Sequence, residues 1–366
     1  MIIHGTATDF FSHMELLGLA RIAELEQEPG SAIVVGWQDP STMILTSSND
    51  ELTLEEVSAR LARYLGIVRC ELPRLCQVIQ LISEVDEGEI GSKTKKPSKL
   101  TERSPLSSRI ARESLTLRQW NEYVELRHVI IDEITVENPI VSSLIDSLGF
   151  PAYWSSALFD RKGKTDLYQG ASLWEMTFRR QGNDFMRNRY LDLANRVCRL
   201  SEKEISERLT GRQVSNNITG DSMACGLHSP AMKALDDDLL CWIAYHGMSL
   251  FPTRPVIAGR YGSISVGSIL NEPSYSGPVY FVMPITMRPV TLGRLTAICR
   301  YAGLYNVARF YADEGSRPEE SDVSWLKAHG VGYVIISRRG DAGKNGKPIY
   351  YASEGTIFPL EASDGR

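Results

Sequence analysis

The stretch DDDLLCWIAYHGMSLFPTRP (residues 236–255) predicts an apolar helix. Asp236, Asp237 and Asp238 stand at its start, where carboxylates interact favourably with the positive end of the helix dipole. An acidic metal site is the alternative interpretation of the same three residues. His246 lies within the apolar run, so we expect a hydrogen-bonded core histidine rather than a catalytic base.

Downstream of this helix, the chain alternates irregularly between short strands and helices. Strands are predicted at PVYFVMPI (278–285) and VGYVIIS (331–337), because both are rich in β-branched and aromatic residues. Helices are predicted between them at TLGRLTAICRYAG (291–303) and DVSWLKAHG (322–330). IYYAS (349–353) is predicted to close the region as a strand.

The N-terminal part shows helix-start signals and one hairpin. Thr8 and Asp9 have side-chain oxygens that can cap the helix that follows them. AIVVGW (32–37) and TMILT (42–46) are short β-branched runs separated by turn formers, which predicts a β-hairpin. Thr53-Leu-Glu-Glu56 is a capping box that opens the next helix.

The middle of the chain contains helical patterns and one apparent strand. A helix is predicted after Pro73, a strand at HVIIDEI (128–134) and a short helix at IVSSLIDSLG (140–149). Residues 173–200 form the most basic helical candidate, with an apolar stripe at three- and four-residue steps: Met186, Tyr190, Leu193 and Val197. A second capping box begins at Ser201.

These elements predict an α+β fold of mixed helices and short, mostly antiparallel strands, with a mobile basic loop. The loop is expected at EGEIGSKTKKPSKLTERSPLSSR (87–109), which is rich in Lys, Ser and Pro and has few large apolar residues. Four regions follow: an acidic N-terminal α+β region (1–90), the basic flexible loop (91–114), a basic, mostly helical middle (115–212) and a C-terminal α+β region (213–366).

The charge distribution along the chain is uneven. The net charge of −5 combines 5 Lys/Arg against 15 Asp/Glu in residues 1–90 with 21 against 16 in residues 91–212. An acidic first quarter followed by a basic middle indicates two surfaces with different partners. Ordinary solvated helix faces are the alternative explanation.

Composition and motifs exclude several classes of protein. The chain lacks an 18-residue apolar run and a basic signal-peptide start, so we expect a cytoplasmic protein with no membrane contact. Cysteines and histidines show no zinc-ligand spacing, and there is no P-loop, dinucleotide-binding glycine fingerprint or GxSxG. We therefore predict no metal, no cofactor and no catalytic activity.

The stretch SNNITGDSMACG (215–226) is the strongest enzyme-like signal. Gly220-Asp221-Ser222-Met223 matches the motif that opens the active site of serine/lysine peptidases. Such a serine needs a base, which in those enzymes is a lysine a few dozen residues downstream. Here Lys233 is too close to Ser222 to be that base, and the next lysine is Lys327. A hydrolase that uses Ser222 is therefore an alternative hypothesis and not the favoured one.

The order of segments resembles the large-subunit proteins of type I-U (I-G) CRISPR Cascade complexes. DFFSHMELLGLARIAE (9–24), followed by a Trp-bearing strand and PSTMILTSS (40–48), is similar to their N-termini. DDDLLCWIAYHGMSLFPTRP is similar to their late helix, which ends in a Leu-Phe-Pro step. VYFVMPITMRPVTLGRLTAI (279–298) and LKAHGVGYVIISRR (326–339) resemble their C-terminal pattern of strand, helix and strand.

The resemblance implies a non-catalytic subunit at one end of a guide-RNA complex. Such a subunit binds double-stranded target DNA, recognises the protospacer-adjacent motif, supports R-loop formation and offers a landing surface for the nuclease-helicase. Its implied partners are the other Cascade subunits, the guide RNA, target DNA and the nuclease-helicase. The second alternative hypothesis is a protein–protein adaptor that uses the acidic N-terminal region and makes no contact with DNA.

Candidate DNA-binding residues are chosen by their chemistry. Basic side chains in the loop and the middle region are expected to contact phosphates: Lys93, Lys95, Lys96, Lys99, Arg179, Arg180, Arg187, Arg189 and Arg212. Amide side chains that can read base edges are expected in the turns: Gln181, Asn183, Asn216 and Asn217. Left-handed turn backbone is the alternative explanation for Asn216 and Asn217.

Overall fold

The computed structural model describes residues 1–27, 29–49, 52–84, 138–147, 190–211, 237–255, 263–265, 267–271, 279–312, 317–341 and 350–360, with residues 125, 128–129, 132–134 and 136. Helices and antiparallel sheets combine in these residues, so the predicted α+β fold class is confirmed.

Two apolar helices form the centre of the fold. Helix α1 spans Phe10–Ala23 and is buried on almost every side. A later helix, Asp238–Met248, is equally apolar and packs along α1. A helix that is hydrophobic all round needs neighbours on all faces, which explains their central place. Asp9 caps the first of these helices through the Phe11 amide.

The contact between these two helices depends on two glycines. A Cβ atom on Gly18 would lie 2.8 Å from the carbonyl carbon of Ile243, and one on Gly247 would lie 2.9 Å from that of Met14. Real Cβ atoms essentially never approach backbone so closely. The missing side chains therefore allow the two backbones to touch directly.

The first sheet covers one side of the central pair. It contains β1 (Ile2–His4), β2 (Ile33–Asp39), β3 (Thr42–Ser47) and a short later strand, Val290–Thr291. Across the sheet, β3 lies between β1 and β2, and the late strand lies on the other side of β2. All its pairings are antiparallel. The late strand pairs with Val34 and Val35, so the N-terminal hairpin is completed by the C-terminal part of the chain.

Helices from the middle of the chain pack around this centre. The long helix α2 spans Leu54–Glu84 and begins at the predicted capping box, where Glu56 N–H donates to Thr53 Oγ1 at 3.2 Å. Helices α3 (Pro139–Ser147), α4 (Leu191–Val197) and α5 (Glu202–Leu209) follow, and α6 is the apolar helix Asp238–Met248. Both α3 and α4 contact α6, and α5 contacts α2.

The second sheet belongs to the C-terminal part. Strands β4 (Thr253–Pro255) and β5 (Ser263–Ser265) form a separate pair. The sheet itself contains five strands, of which β7 and β9 form the centre: β6 (Ile269–Asn271), β7 (Val279–Thr286), β9 (Val331–Asp341), β10 (Tyr350–Ala352) and β11 (Thr356–Pro359). The short strand of the first sheet, Val290–Thr291, is β8.

Three helices connect β7 to β9: α7 (Leu292–Arg300), α8 (Ala302–Tyr311) and α9 (Glu320–Ala328). Val282 of β7 packs with these helices, whereas Phe281 faces the central pair, with its ring 5.0 Å from that of Phe10. Strand β7 is thus buried on both faces, which explains its continuous apolar sequence.

Most predicted elements are present, and three differ. The predicted strand at 128–134 is wrong, because His128, Val129 and residues 132–134 are helical. The Ile134 carbonyl accepts from the Asn138 amide at 2.6 Å, leading directly toward α3. The helix predicted after Pro73 is present, but it is continuous with the preceding one: α2 runs through Pro73, which is exposed while Leu72 is buried. The helix predicted over 291–303 divides at Tyr301 into α7 and α8.

Candidate functional site

A spacious cleft lies beside helix α7. Its volume is about 790 Å³, and it is bounded by the end of α1, by α3, by the segment after α6 and by α7. We call it the α7 cleft, and it is lined by Arg21, Glu24, Ser143, Ser249, Leu250, Pro252, Leu292, Gly293, Thr296, Ala297 and Arg300. The α7 side presents small side chains, so a ligand can approach this helix closely.

Two guanidinium groups give the α7 cleft its positive charge. Arg300 is exposed in the last turn of α7 and makes no ion pair with any residue that the structure describes. Arg21 lies 3.4 Å from Glu24, and their side chains are 30% and 29% exposed. Burial raises the pKa of Glu24 above its usual value, and the Arg21 charge opposes this rise.

Three hydroxyl groups face the same cleft with their protons already engaged. Ser143 donates to the Pro139 carbonyl at 2.8 Å, and Thr296 donates to the Leu292 carbonyl at 2.7 Å. Ser249 donates to the carbonyl of His246. A hydroxyl whose proton is held by a carbonyl is not activated as a nucleophile, which requires a base. These hydroxyls offer only acceptor oxygens to a ligand, so the donors that this lining presents to an anion are the guanidinium groups of Arg21 and Arg300.

His246 is a core residue, as the sequence predicts. Its Nδ1 donates to the Trp242 carbonyl at 2.8 Å, so Nε2 is the acceptor facing Tyr190 Oη at 3.4 Å and Tyr64 Oη at 3.5 Å. Tyr64 donates to Asn138 Oδ1 at 2.9 Å, which leaves Tyr190 as the donor to the imidazole. Burial lowers the pKa of His246 to about 4. A fully buried, neutral imidazole has no access to substrate.

His13 is a second buried histidine with a structural role. Its Nε2 donates to the Ala7 carbonyl at 2.8 Å, and its ring packs against Trp37 at 4.8 Å. Burial lowers the pKa of His13 to about 4. The imidazole therefore holds the segment at Ala7, which precedes α1, against the helix.

The acidic start of α6 caps the helix, as the dipole argument predicts. Asp237 accepts from the Leu239 amide at 2.8 Å and lies 3.5 Å from Arg208. Asp238 lies 3.5 Å from Arg196, and burial raises its pKa. Asp236 lies outside the described residues. Among the residues that the structure describes, no group of three or more His, Cys, Asp or Glu is arranged to hold a metal ion.

The residues selected from sequence as DNA contacts lie outside the described part of the chain. This holds for Lys93, Lys95, Lys96, Lys99, Arg179, Arg180, Gln181, Asn183, Arg187, Arg189, Arg212, Asn216 and Asn217. Ser222 also lies outside it, so both assignments stay predictions.

The α7 cleft was not predicted from sequence. Its residues come from four separate segments, and nothing in the local sequence distinguishes Arg21 or Arg300 from other basic residues in last helical turns.

Comparison with known proteins gives no match, either to a protein family or to a curated protein. Among the described helices, none combines the length and apolarity needed to cross a bilayer.

Proposed function

We propose that this chain is the non-catalytic large subunit of a type I CRISPR guide-RNA surveillance (Cascade) complex. In this role it binds duplex DNA, recognises the protospacer-adjacent motif, supports R-loop formation and recruits the nuclease-helicase. The observation that carries the proposal is the α7 cleft, which offers the guanidinium groups of Arg21 and Arg300 to an anion. Phosphate binding is the chemistry such a cleft supports best.

The composition of the cleft supports a link to the resemblance seen in the sequence. The segment 9–24 contributes Arg21 and Glu24, and the segment 236–255 contributes the residues that follow α6. The segment 279–298 contributes most of the α7 lining. Three of the segments that resemble Cascade large subunits therefore meet at this one cleft, and a shared function at the cleft would explain why these three occur together.

Little free energy is needed to separate Arg21 from Glu24 so that Arg21 can bind a phosphate. Partly exposed ion pairs contribute roughly 0–1 kcal/mol, so the Arg21–Glu24 pair at 3.4 Å costs little to separate. Glu24 then remains near the bound phosphate and repels it. Removing the Glu24 charge should strengthen DNA binding, whereas removing Arg21 and Arg300 should weaken it.

Duplex binding by matched variants tests the proposal. The purified effector complex is titrated with labelled duplex DNA at several salt concentrations, with the wild-type chain, Glu24→Gln, and Arg21→Ala combined with Arg300→Ala. Lys203→Ala removes an 85% exposed charge outside the cleft and serves as the control. The double variant should lower the salt slope by about two, and Glu24→Gln should bind more tightly. Identical slopes in the double variant and the control would contradict the proposal.

A further inference from the structure

Three aromatic rings form a parallel stack on the surface beside α7. The Tyr301 and Trp325 ring centroids are 4.0 Å apart with planes inclined by 27°, and those of Trp325 and His329 are 3.6 Å apart at 20°. We call Tyr301, Trp325 and His329 the ring ladder. All three side chains are half-buried, so the ladder retains an edge in solvent.

An equivalent pair inside the protein packs differently. Trp242 and His246 have the same four-residue spacing on α6, but their planes are inclined by 55° and both rings are fully buried. Offset-stacked and inclined arrangements of aromatic pairs both occur in proteins. Spacing on a helix therefore does not explain the parallel arrangement of Trp325 and His329.

Hydrogen bonds hold the two ends of the ladder. Tyr301 Oη donates to Asp322 Oδ1 at 2.8 Å, and His329 Nδ1 donates to the Trp325 carbonyl at 2.8 Å. Rings that are fixed before binding lose little conformational entropy when a ligand stacks on them. The ladder is thus a preformed stacking surface.

The two ends of the ladder differ in access. Beyond Tyr301, a Cβ atom on Gly303 would already meet the tyrosine ring, so α8 crowds this end. Next to His329 in the chain, a Cβ atom on Gly330 would meet nothing nearer than Arg294 Nη2, at 4.0 Å, so the backbone at this end of the ladder is uncrowded. A flat ligand can therefore extend the stack at the His329 end.

A positive charge also lies at the open end. Arg294 Nη2 donates to the His329 carbonyl at 2.9 Å, which places a guanidinium at the backbone of this residue. The acidic residues of α9, Glu319, Glu320 and Asp322, lie at its opposite end.

We propose that an unpaired base of a single-stranded nucleic acid stacks on the open face of His329, while Arg294 contacts an adjoining phosphate. Aromatic platforms next to cations are the usual means of binding single strands without reading their sequence. The source of the strand rests on the proposed function: it is the displaced DNA strand or a single-stranded end of the guide RNA. In either case, the ladder captures nucleotides that base pairing has released.

Binding of unstructured oligonucleotides tests this inference. The full-length chain is titrated with fluorescein-labelled oligothymidine and oligouridine, followed by anisotropy. His329→Ala and Trp325→Leu should each weaken binding roughly ten-fold, and His329→Phe should restore it, because the ring rather than the imidazole is needed. Tighter binding of oligothymidine identifies the displaced strand, and tighter binding of oligouridine identifies the guide.

A second aromatic stack in the same part of the chain provides the control. Tyr311 and Phe358 stack at 4.6 Å and 16°, so Tyr311→Leu removes a comparable ring pair elsewhere. The inference is overturned if the wild-type chain binds neither oligonucleotide, or if His329→Ala and Trp325→Leu bind no more weakly than Tyr311→Leu. A chain that binds through the ladder but associates with no guide RNA would refute the proposed function and leave this inference standing.

Discussion

Replacing Gly18 or Gly247 by alanine should destabilise the protein by separating its two central helices. A methyl group at Gly18 would sit 2.8 Å from the Ile243 carbonyl carbon, and one at Gly247 would sit 2.9 Å from that of Met14. Both obstacles are backbone atoms in buried helices, so no side-chain rotation relieves the overlap. The helices must instead move apart.

The expected cost follows from two opposing contributions. Overpacking a well-packed core typically costs about 1–3 kcal/mol, and the upper part of that range applies because the backbone itself must shift. Alanine in a helix recovers about 0.5–1 kcal/mol relative to glycine. We therefore expect a net loss of about 2 kcal/mol in the free energy of unfolding for Gly18→Ala, and a similar loss for Gly247→Ala.

Gly66 is a matched control, because it is helical and a Cβ atom there would meet nothing within 4 Å. Gly66→Ala should stabilise the protein slightly, by about 0.5–1 kcal/mol. Urea denaturation of the three variants measures these differences directly. If Gly18→Ala and Gly66→Ala changed stability by the same amount and in the same direction, the close helix contact would be refuted.

Three further predictions concern pH, capping and motif preference. Burial holds the pKa of His246 at about 4 in the folded protein. The unfolded protein therefore takes up a proton on this histidine at a higher pH than the folded protein does, and the free energy of unfolding falls as the pH decreases from 6.5 to 4. The free energy of unfolding should drop by about 2 kcal/mol less between pH 7 and pH 5 in His246→Gln than in the wild-type protein, as measured by urea titration at both pH values. The same drop in both proteins would count against a buried neutral imidazole. Asp237→Ala should destabilise more than Asp237→Asn, by about 1 kcal/mol, because asparagine still caps α6; equal denaturation midpoints would refute the capping role. Asn216→Ala with Asn217→Ala should relax the preferred adjacent motif by about 1–3 kcal/mol in a motif-depletion assay, and an unchanged preference would show that these amides read no bases.

The central helices could be predicted from sequence, because Asp9 and Asp237 precede predominantly apolar stretches. Their mutual contact could not, since a glycine within a helical pattern predicts a weaker helix rather than a close neighbour. The region 128–134 is rich in β-branched residues, which favour a strand, but its described residues are helical and lead into α3.

The candidate sites could be predicted from sequence even less well than the contact between the central helices. Arg21 and Arg300 meet through the packing of α1 beside α7, a relation that local sequence does not encode. Trp325 and His329 are visible as a helical pair in the sequence, but the third ring comes from the break at Tyr301. That break falls within a predicted continuous helix, so the ladder became apparent with the tertiary structure.

The most direct test of the proposed function is to tag this chain in its native cell, purify it gently and sequence the RNA that accompanies it. The account predicts short guide RNAs that carry a constant repeat-derived handle, together with several protein partners. Recovery of no such RNA from cells shown to express the guides would contradict the assignment to a guide-RNA complex.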